Sequence, residues 1–541
     1  MGSTRPAPIG PRTLRTVLAY AVFSIVEFAI WIAIILYAYA EGGVGLAGLV
    51  GVVQLLPAAV LSPLVASAGD RLPRGRALVM GYLVMAVVTA SVAVALASDA
   101  PTWGVVALSA VATTLVSAIR PVHYAALPGL ARSSGELVGA NAYSSVGEGV
   151  AAFVGPVVAG VLAQAAGPTA VFVGATVLCL LAATATLGLG LPAAGAAEEH
   201  PLRAAFAGLV QLRHDGPALS LLLVMAVGFV LAGALDVLGV AYALDVLGAG
   251  EAGAGVVLGA IGIGAVLGAL VASAIVDRPR IVPVLLVAGV VEGAAVAVVA
   301  TVVSLPAAVA LLATSGAASA LVLVGGRTLL QRATDDRVMA RVFAVQESTS
   351  LLGLALGALA VPLIVERVGV QQAFIPLGVA SLGIVALGVI LARRLDDRAV
   401  YPAEAVALLR RNGLLARAPQ HALERMAREG VWRELPADEV AVRQGDLGEE
   451  YFVIDQGRFA VDVDGVRRPH VLGPDDGFGE IALLLDVPRT ATITALEPSR
   501  CLVIDSSAFL AAVTGDEDLR RRAADTAGES PSGAERDLDP Q

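Results

Sequence analysis

Two kinds of residue in this chain could do chemistry. The first is the run Phe478-Gly479-Glu480-Ile481-Ala482-Leu483-Leu484, followed by Pro488-Arg489-Thr490-Ala491-Thr492. Gly479 can open a short helical turn whose first backbone N–H groups lack partners within the turn and face outward as anion donors. Arg489 adds a planar fork of donors and a fixed positive charge for the same anion. Glu480 is a poor neighbour for a phosphate but a good acceptor for a sugar hydroxyl. This is recognition chemistry.

The second kind is ionisable residues inside apolar runs: Glu27, Arg120, Glu148, Asp236, Glu292 and Glu347. A carboxylate at the centre of a membrane helix costs about 2.5–3.5 kcal/mol on insertion scales, so each needs a reason. Proton carriage is one such reason for Glu27, Glu148 and Asp236. Glu292 reads as facing a neighbouring helix or the membrane interface, and Glu347 as capping a helix end. Arg120 could pair with an acid or anchor at the headgroups. His123, His200, His214, His421 and His470 have no metal-ligand spacing, and no nucleophile elbow or phosphate-binding P-loop appears. No metal, required cofactor, nucleic-acid partner or enzyme activity is therefore expected, nor is transport driven by ATP. No selectivity-filter loop or Arg-rich sensor helix suggests a channel.

Composition says what must hold these residues. The chain has 541 residues, 57% of them apolar, with a mean hydropathy of +0.80, too apolar for a soluble domain of this size. Residues 1–400 hold 20 Arg and 20 acids, and the rest holds 16 Arg and 26 acids, so the net charge of −10 sits wholly in the last quarter. Two solvents are implied, a lipid bilayer and water. Lys is absent and Ala and Gly abound, as in a high-GC bacterial genome. Cys179 and Cys501 suggest no disulfide framework. The apolar run after Arg15 extends to Ala40, too long for a signal peptide, and reads as a retained first membrane helix.

A bilayer core needs about 20 mainly apolar residues per helix. Helices are expected near 15–40, 45–68, 77–98, 103–123, 140–165 and 169–191, then near 218–243, 253–276, 281–303, 306–330, 341–365 and 371–393. Eleven or thirteen helices fit the hydropathy too; the loops favour twelve. Every second loop carries Arg: Arg71, Arg74 and Arg76; Arg132; Arg203 and Arg213; Arg278 and Arg280; Arg332, Arg337 and Arg341. The alternate loops hold Glu41, Asp99, Asp245 and Glu251, with Arg367 the one basic residue. Positive charge collects on the cytoplasmic side, so a multi-pass protein of the bacterial plasma membrane with both termini cytoplasmic is expected. Asp70-Arg71-Leu72-Pro73-Arg74 is echoed by Asp277-Arg278-Pro279-Arg280, and Gly155 by Gly353. Both offsets are about 200 residues, which suggests a parallel six-plus-six repeat.

The expected architecture is an all-α membrane bundle of twelve transmembrane helices with a six-plus-six pseudo-repeat, followed by a small β-roll domain with flanking helices. Its parts are a first half at 1–193, a cytoplasmic central loop at 194–217, a second half at 218–394 and a linker at 395–402. A domain at 403–527 follows, with helical spacing to Gly430 and short strands between turns after it. A disordered tail at 528–541 ends the chain.

With Arg443-Gln444-Gly445-Asp446, Tyr451-Phe452-Val453-Ile454 and Gln456-Gly457, the Gly479 and Arg489 segments resemble the phosphate-binding cassette of the cyclic-nucleotide-binding domain family over 405–515. The resemblance implies that Glu480 takes the ribose 2′-hydroxyl, that the amides of Ile481 and Ala482 take the phosphate, and that Arg489 pairs with its charge. Thr490, followed by Ala491, could reach the phosphate or a guanine and leaves cAMP and cGMP both open. A degenerate domain that binds nothing is the other reading. The segment Asp516–Ala527 is a candidate capping helix over the base.

Asp70 with Arg71, Arg74 and Arg76 resembles the loop motif between helices two and three of the major facilitator superfamily, with Pro73 where Gly often stands. By that resemblance these residues, and Asp277 with Arg278 in the second copy, form a cytoplasmic latch. The run Arg120-Pro121-Val122-His123-Tyr124, with Glu136-Leu137, Ala140-Asn141 and Gly155-Pro156, looks like the efflux branch. Helix one usually lines the cavity in this superfamily, which makes Glu27 the first proton-coupling candidate, ahead of Asp236, Glu148 and Arg120. The expectation is a secondary active, proton-coupled exporter of small amphipathic compounds, regulated by cytosolic cyclic nucleotide. A membrane-anchored receptor or scaffold that transports nothing is the alternative. The cargo and the oligomeric state stay open.

Overall fold

The computed structural model describes residues 9–69, 72–131, 134–189, 191, 216–275, 282–333, 336–383, 402–416, 418, 420–485 and 487–514. The chain divides into two compact units, Met1–Ala399 and Val400–Gln541.

The first unit is helical. Its elements are α1 (Pro11–Gly69), α2 (Arg74–Ala97), α3 (Thr102–Leu130), α4 (Ser134–Ala166), α5 (Pro168–Ala185), α6 (Gly216–Ala241), α7 (Gly250–Ile275), α8 (Val282–Val299), α9 (Leu305–Ala333) and α10 (Asp336–Val368), then a short apolar helix α11 (Phe374–Gly383). A π-helical turn, Tyr242–Val246, follows α6. Nine helices among the described residues are long and apolar enough to cross a membrane. Inside lipid a helix pairs its own backbone polar groups, which is why this composition folds so.

Helix α1 is broken where Gly42 (φ −153°) and Gly43 (φ 61°, ψ −158°) leave helical geometry. That left-handed φ suits glycine, and the break falls between the runs expected at 15–40 and 45–68. The sequence expected helix starts at 140 and 341, but α4 begins at Ser134 and α10 at Asp336; polar residues such as Glu136 extend a helix beyond its apolar run. Glu347 therefore lies inside α10 and does not cap it. Asp70, Arg71, Asp277 and Arg278 lie outside the described residues, as do Asp516–Ala527 and the tail. Arg74 and Arg76 occupy the first turn of α2.

The halves repeat in packing. Gly155 on α4 sits so close to α1 that a Cβ would come 2.7 Å from the Cβ of Phe28 and 3.0 Å from the Ile25 carbonyl. Gly353 on α10 meets α6 in the same manner, 3.0 Å from the Cβ of Phe229 and 2.7 Å from the Ala226 carbonyl. Phe28 and Phe229 are 201 positions apart in the sequence, as are Ile25 and Ala226. Small residues let helix backbones approach in the absence of a hydrophobic drive between them.

The second unit opens with α12 (Ala403–Arg411) and α13 (Gln420–Glu429). Strands β1 (Val431–Leu435), β2 (Val440–Val442), β3 (Glu450–Gln456), β4 (Phe459–Val463), β5 (Val466–Leu472) and β6 (Gly477–Phe478) follow. Then come α14 (Glu480–Leu485), β7 (Thr492–Ala495), β8 (Ser499–Asp505) and α15 (Ser506–Thr514). Two four-stranded sheets form, ordered β1-β8-β3-β6 and β2-β7-β4-β5, and each neighbouring pair is antiparallel. Strand β3 shows the period of two that organises the core. Its Phe452 and Ile454 join Phe459, Phe478 and Ile493 in one buried cluster. Its Tyr451 and Val453 face the other way, into a cluster with Leu408, Leu423, Met426 and Phe509 of the helices.

Candidate functional site

The candidate site in the second unit is built where α14 starts. Gly479 has φ +96°, a left-handed conformation that turns the chain sharply from β6 into α14. Glu480, Ile481 and Ala482 form the first turn of α14, where backbone N–H groups have no intrahelical acceptor. Arg489 comes from the segment before β7 and crosses to this turn. Its Nη1 donates to the Gly479 carbonyl at 3.0 Å and its Nη2 to the Glu450 carbonyl at 2.7 Å. The backbone of Arg489 is tied as well: its N–H donates to the Asp446 carbonyl and its carbonyl accepts from Gly445, both at 2.8 Å.

Arg489 is only 5% exposed, yet among the described residues no carboxylate stands within ion-pair distance of it. A buried guanidinium held only by neutral carbonyls retains charge for an anion. Burial accordingly lowers its pKa, with Glu450 and Glu480 acting in the opposite direction. Glu480 is complementary: its Oε2 is buried and has no hydrogen-bond partner among the described residues. Burial raises its pKa, offset in part by its own backbone N–H and by Arg489. A cation seeking an anion and a carboxylate oxygen seeking a donor thus flank one glycine turn. Thr490 and Ala491 follow Arg489 at half-buried positions, with Ala491 packed against the core between the sheets.

The sequence did not single out Tyr451 and Asn412 as a pair. The Tyr451 hydroxyl donates to Asn412 Oδ1 at 3.2 Å, the same oxygen that accepts from the N–H groups of Leu414 and Leu415. Asn412 Nδ2 donates to the Asp475 carbonyl at 3.0 Å. The residue ending α12 is thereby tied to the strand whose neighbouring carbonyl, that of Glu450, receives Arg489.

In the first unit Arg120 on α3 stands between two carboxylates. Its Nη2 lies 2.7 Å from Glu27 Oε1 on α1, and its Nη1 lies 2.7 Å from Glu148 Oε1 on α4. Of the two roles expected for Arg120, the structure thus shows acid pairing. Glu27 Oε2 is buried without a hydrogen-bond partner among the described residues. Beside this cluster the Tyr20 and His123 rings stack at 3.9 Å, and His123 Nε2 shares a hydrogen bond of 2.9 Å with Ser144 Oγ. With Arg and both acids charged the trio carries net −1, so it attracts one more cation, a proton included.

Asp236 is not part of that trio. Its Oδ2 accepts from Trp31 Nε1 of α1 at 2.9 Å, one turn beyond Glu27, and nothing in the sequence pointed to Trp31. Nearby Tyr39 of α1 donates to Asp245 of the π turn. Glu292 is 4% exposed and bonded to Ser319 of α9, in keeping with a neighbour-facing group. No cluster of metal-ligating side chains occurs among the described residues.

Comparison with known proteins bears on both units. Residues 16–305 and 227–435 match the Major Facilitator Superfamily model, and residues 432–516 match that of the cyclic nucleotide-binding domain. A solved bacterial homologue of the human lysosomal transporter Spinster, inward-facing and unoccupied, aligns over 73% of this chain and 99% of its own. Its TM-score is 0.57 at 15% identity, a likeness of fold. The cAMP-dependent protein kinase regulatory subunit of Dictyostelium discoideum is 41% identical over 78 residues, 13% of this chain. The chain covers only about a quarter (24%) of that relative's length. The regulatory domain of Toxoplasma gondii PKA, crystallised with cAMP, aligns at 27% identity over 23% of this chain and 49% of its own, with a TM-score of 0.22. On the evidence of its helices, its second unit and the two family models it matches, the chain belongs to the Major Facilitator Superfamily and carries a C-terminal cyclic nucleotide-binding domain.

Proposed function

We propose that this protein is a secondary active transporter, a proton-coupled exporter of small amphipathic compounds, whose activity is set by cAMP or cGMP bound to its cytosolic domain. The observation that carries the regulatory part is the buried Arg489 guanidinium, which among the described residues bonds only to the carbonyls of Gly479 and Glu450, beside a Glu480 Oε2 that has no partner among them. A cyclic nucleotide offers what each lacks. Its phosphate takes the guanidinium and the amides of Ile481 and Ala482, and its ribose 2′-hydroxyl donates to Glu480. The cAMP-dependent kinase relative and the cAMP-bound Toxoplasma domain make cAMP the first ligand to try.

On the membrane side, Glu27, Glu148 and Arg120 are the proposed coupling centre. Protonating a carboxylate of the trio changes its charge by one and with it the hold of Arg120 on α1 or α4. Asp236 serves as a second coupling carboxylate toward α6. Twelve spans, both termini in the cytoplasm and the latch around Asp70 and Asp277 complete the proposal. A ligand moves the inward–outward balance only as far as it binds one state more tightly than the other, so the nucleotide must favour one state.

The experiment is flux in proteoliposomes under an imposed proton gradient, with nucleotide added on the side of the cytosolic domain. Substrate movement driven by the gradient, altered by cAMP or cGMP and insensitive to both in Arg489→Ala, supports the reading. Nucleotide-independent flux removes the regulatory part. Flux that ignores the gradient removes the coupling.

A further inference from the structure

We propose that Gly448 is a positioning residue of the nucleotide pocket: its missing side chain is what allows the Arg489 guanidinium to lie where it meets the phosphate. This deepens the reading of the pocket above and rests on it. Gly448 lies in the connection between β2 (Val440–Val442) and β3 (Glu450–Gln456).

Glycines at a site usually have a backbone reason. Gly479 has φ +96° and Gly445 has φ +87°, the left-handed region that disfavours other residues. Gly448 has no such φ, so no left-handed conformation there calls for glycine. Space is the remaining constraint. A Cβ built on Gly448 would overlap Nε, Cζ and Nη2 of Arg489, its three nearest heavy atoms, and one built on Gly479 would overlap Nη1. The guanidinium therefore lies against two bare stretches of backbone, at Gly448 and at Gly479.

The residue cannot yield as a unit. Its N–H and carbonyl are bonded to Asp446 and Gly445 at 2.8 Å, both in the same connection as Gly448, so the connection and the backbone of Arg489 move together. What can move is the flexible end of the side chain. A methyl at 448 then leaves the fold in place and expels the guanidinium from the Gly479 and Glu450 carbonyls. An arginine displaced from those anchors no longer presents its fork to an anion at the turn, and bidentate recognition is sensitive to such placement.

The test uses the purified full-length protein and labelled cAMP and cGMP, with Gly448→Ala, Arg489→Ala and the double variant, and thermal unfolding measured alongside. Losing a charge-assisted contact predicts that Gly448→Ala weakens nucleotide binding about tenfold or more, while adding it to Arg489→Ala weakens binding no further. Any thermal stability lost in Gly448→Ala is regained when Arg489 is also alanine, because the overlapping group is gone. Binding within about twofold of wild type in Gly448→Ala overturns the proposal. So does an equal loss of stability with and without the arginine, which would make Gly448 a purely structural residue. If wild type binds neither nucleotide, the reading of the pocket fails. The unfolding comparison then still decides whether Gly448 makes room for Arg489.

Discussion

Arg489 donates to the carbonyl of Gly479 across 3.0 Å, joining the two segments of the pocket motif that α14 separates in the chain. The contact keeps a cation at the opening of a helical turn without neutralising it. A carboxylate in the place of that carbonyl would have satisfied the arginine and left it no use for a phosphate. The experiments that follow probe this arrangement and its counterpart in the membrane unit.

Arg489→Ala is expected to lower nucleotide affinity by about 100-fold, near the upper end of what a charged hydrogen-bond donor contributes. Arg489→Lys keeps the charge and loses the fork, and falls between the two. Equilibrium binding of labelled nucleotide to the purified protein reads both.

Glu480 gives a pH dependence with a definite sign. Burial raises its pKa in the ligand-free fold, so its contribution to stability is full below the ordinary carboxylate pKa of about 4.3 and is lost as pH rises through the raised value. Glu480→Gln removes that loss and raises ligand-free thermal stability at neutral pH. The same substitution removes the charged acceptor for the ribose hydroxyl and weakens nucleotide binding roughly tenfold or more. Stability and affinity therefore move in opposite directions, which thermal unfolding with and without nucleotide will show.

In the membrane unit Arg120→Ala leaves Glu27 and Glu148 facing each other without their cation. The expected destabilisation is roughly 1–3 kcal/mol, held below that of a fully buried pair because Arg120 is 39% exposed. Adding Glu148→Gln to Arg120→Ala recovers part of it, and unfolding in detergent measures the recovery. Glu27→Gln is expected to abolish gradient-driven flux while keeping the protein folded.

Trp31 and Asp236 are joined by one hydrogen bond of 2.9 Å. Trp31→Phe and Asp236→Asn should each cost about 1 kcal/mol, with a coupling of similar size in a double-mutant cycle. A coupling near zero would remove Trp31 as the partner that holds Asp236.

The clustering of Gly479, Glu480 and Arg489 was legible in the sequence because these residues are close along the chain and of types with few other uses: a glycine, an acid and an arginine around a short apolar turn. The apolar run Tyr451-Phe452-Val453-Ile454 falls among the short strands expected between turns, and the structure sends its alternate residues into two cores. Which residues pair across the helices left no trace. Glu27 and Arg120 are 93 positions apart, and Trp31 and Asp236 are 205 apart. Each acid could be flagged by its cost in lipid, but its partner is chosen by helix packing, which apolar runs of Ala, Val and Leu do not encode in any local pattern. Gly448 was unreadable for the same reason. Its meaning appears only when the course of the Arg489 side chain is known.

The most direct test is calorimetric titration of the purified full-length protein with cAMP and with cGMP, beside Arg489→Ala. The account requires saturable binding of at least one nucleotide to wild type and its loss in the variant. Silence with both nucleotides, or equal binding by the variant, would contradict it.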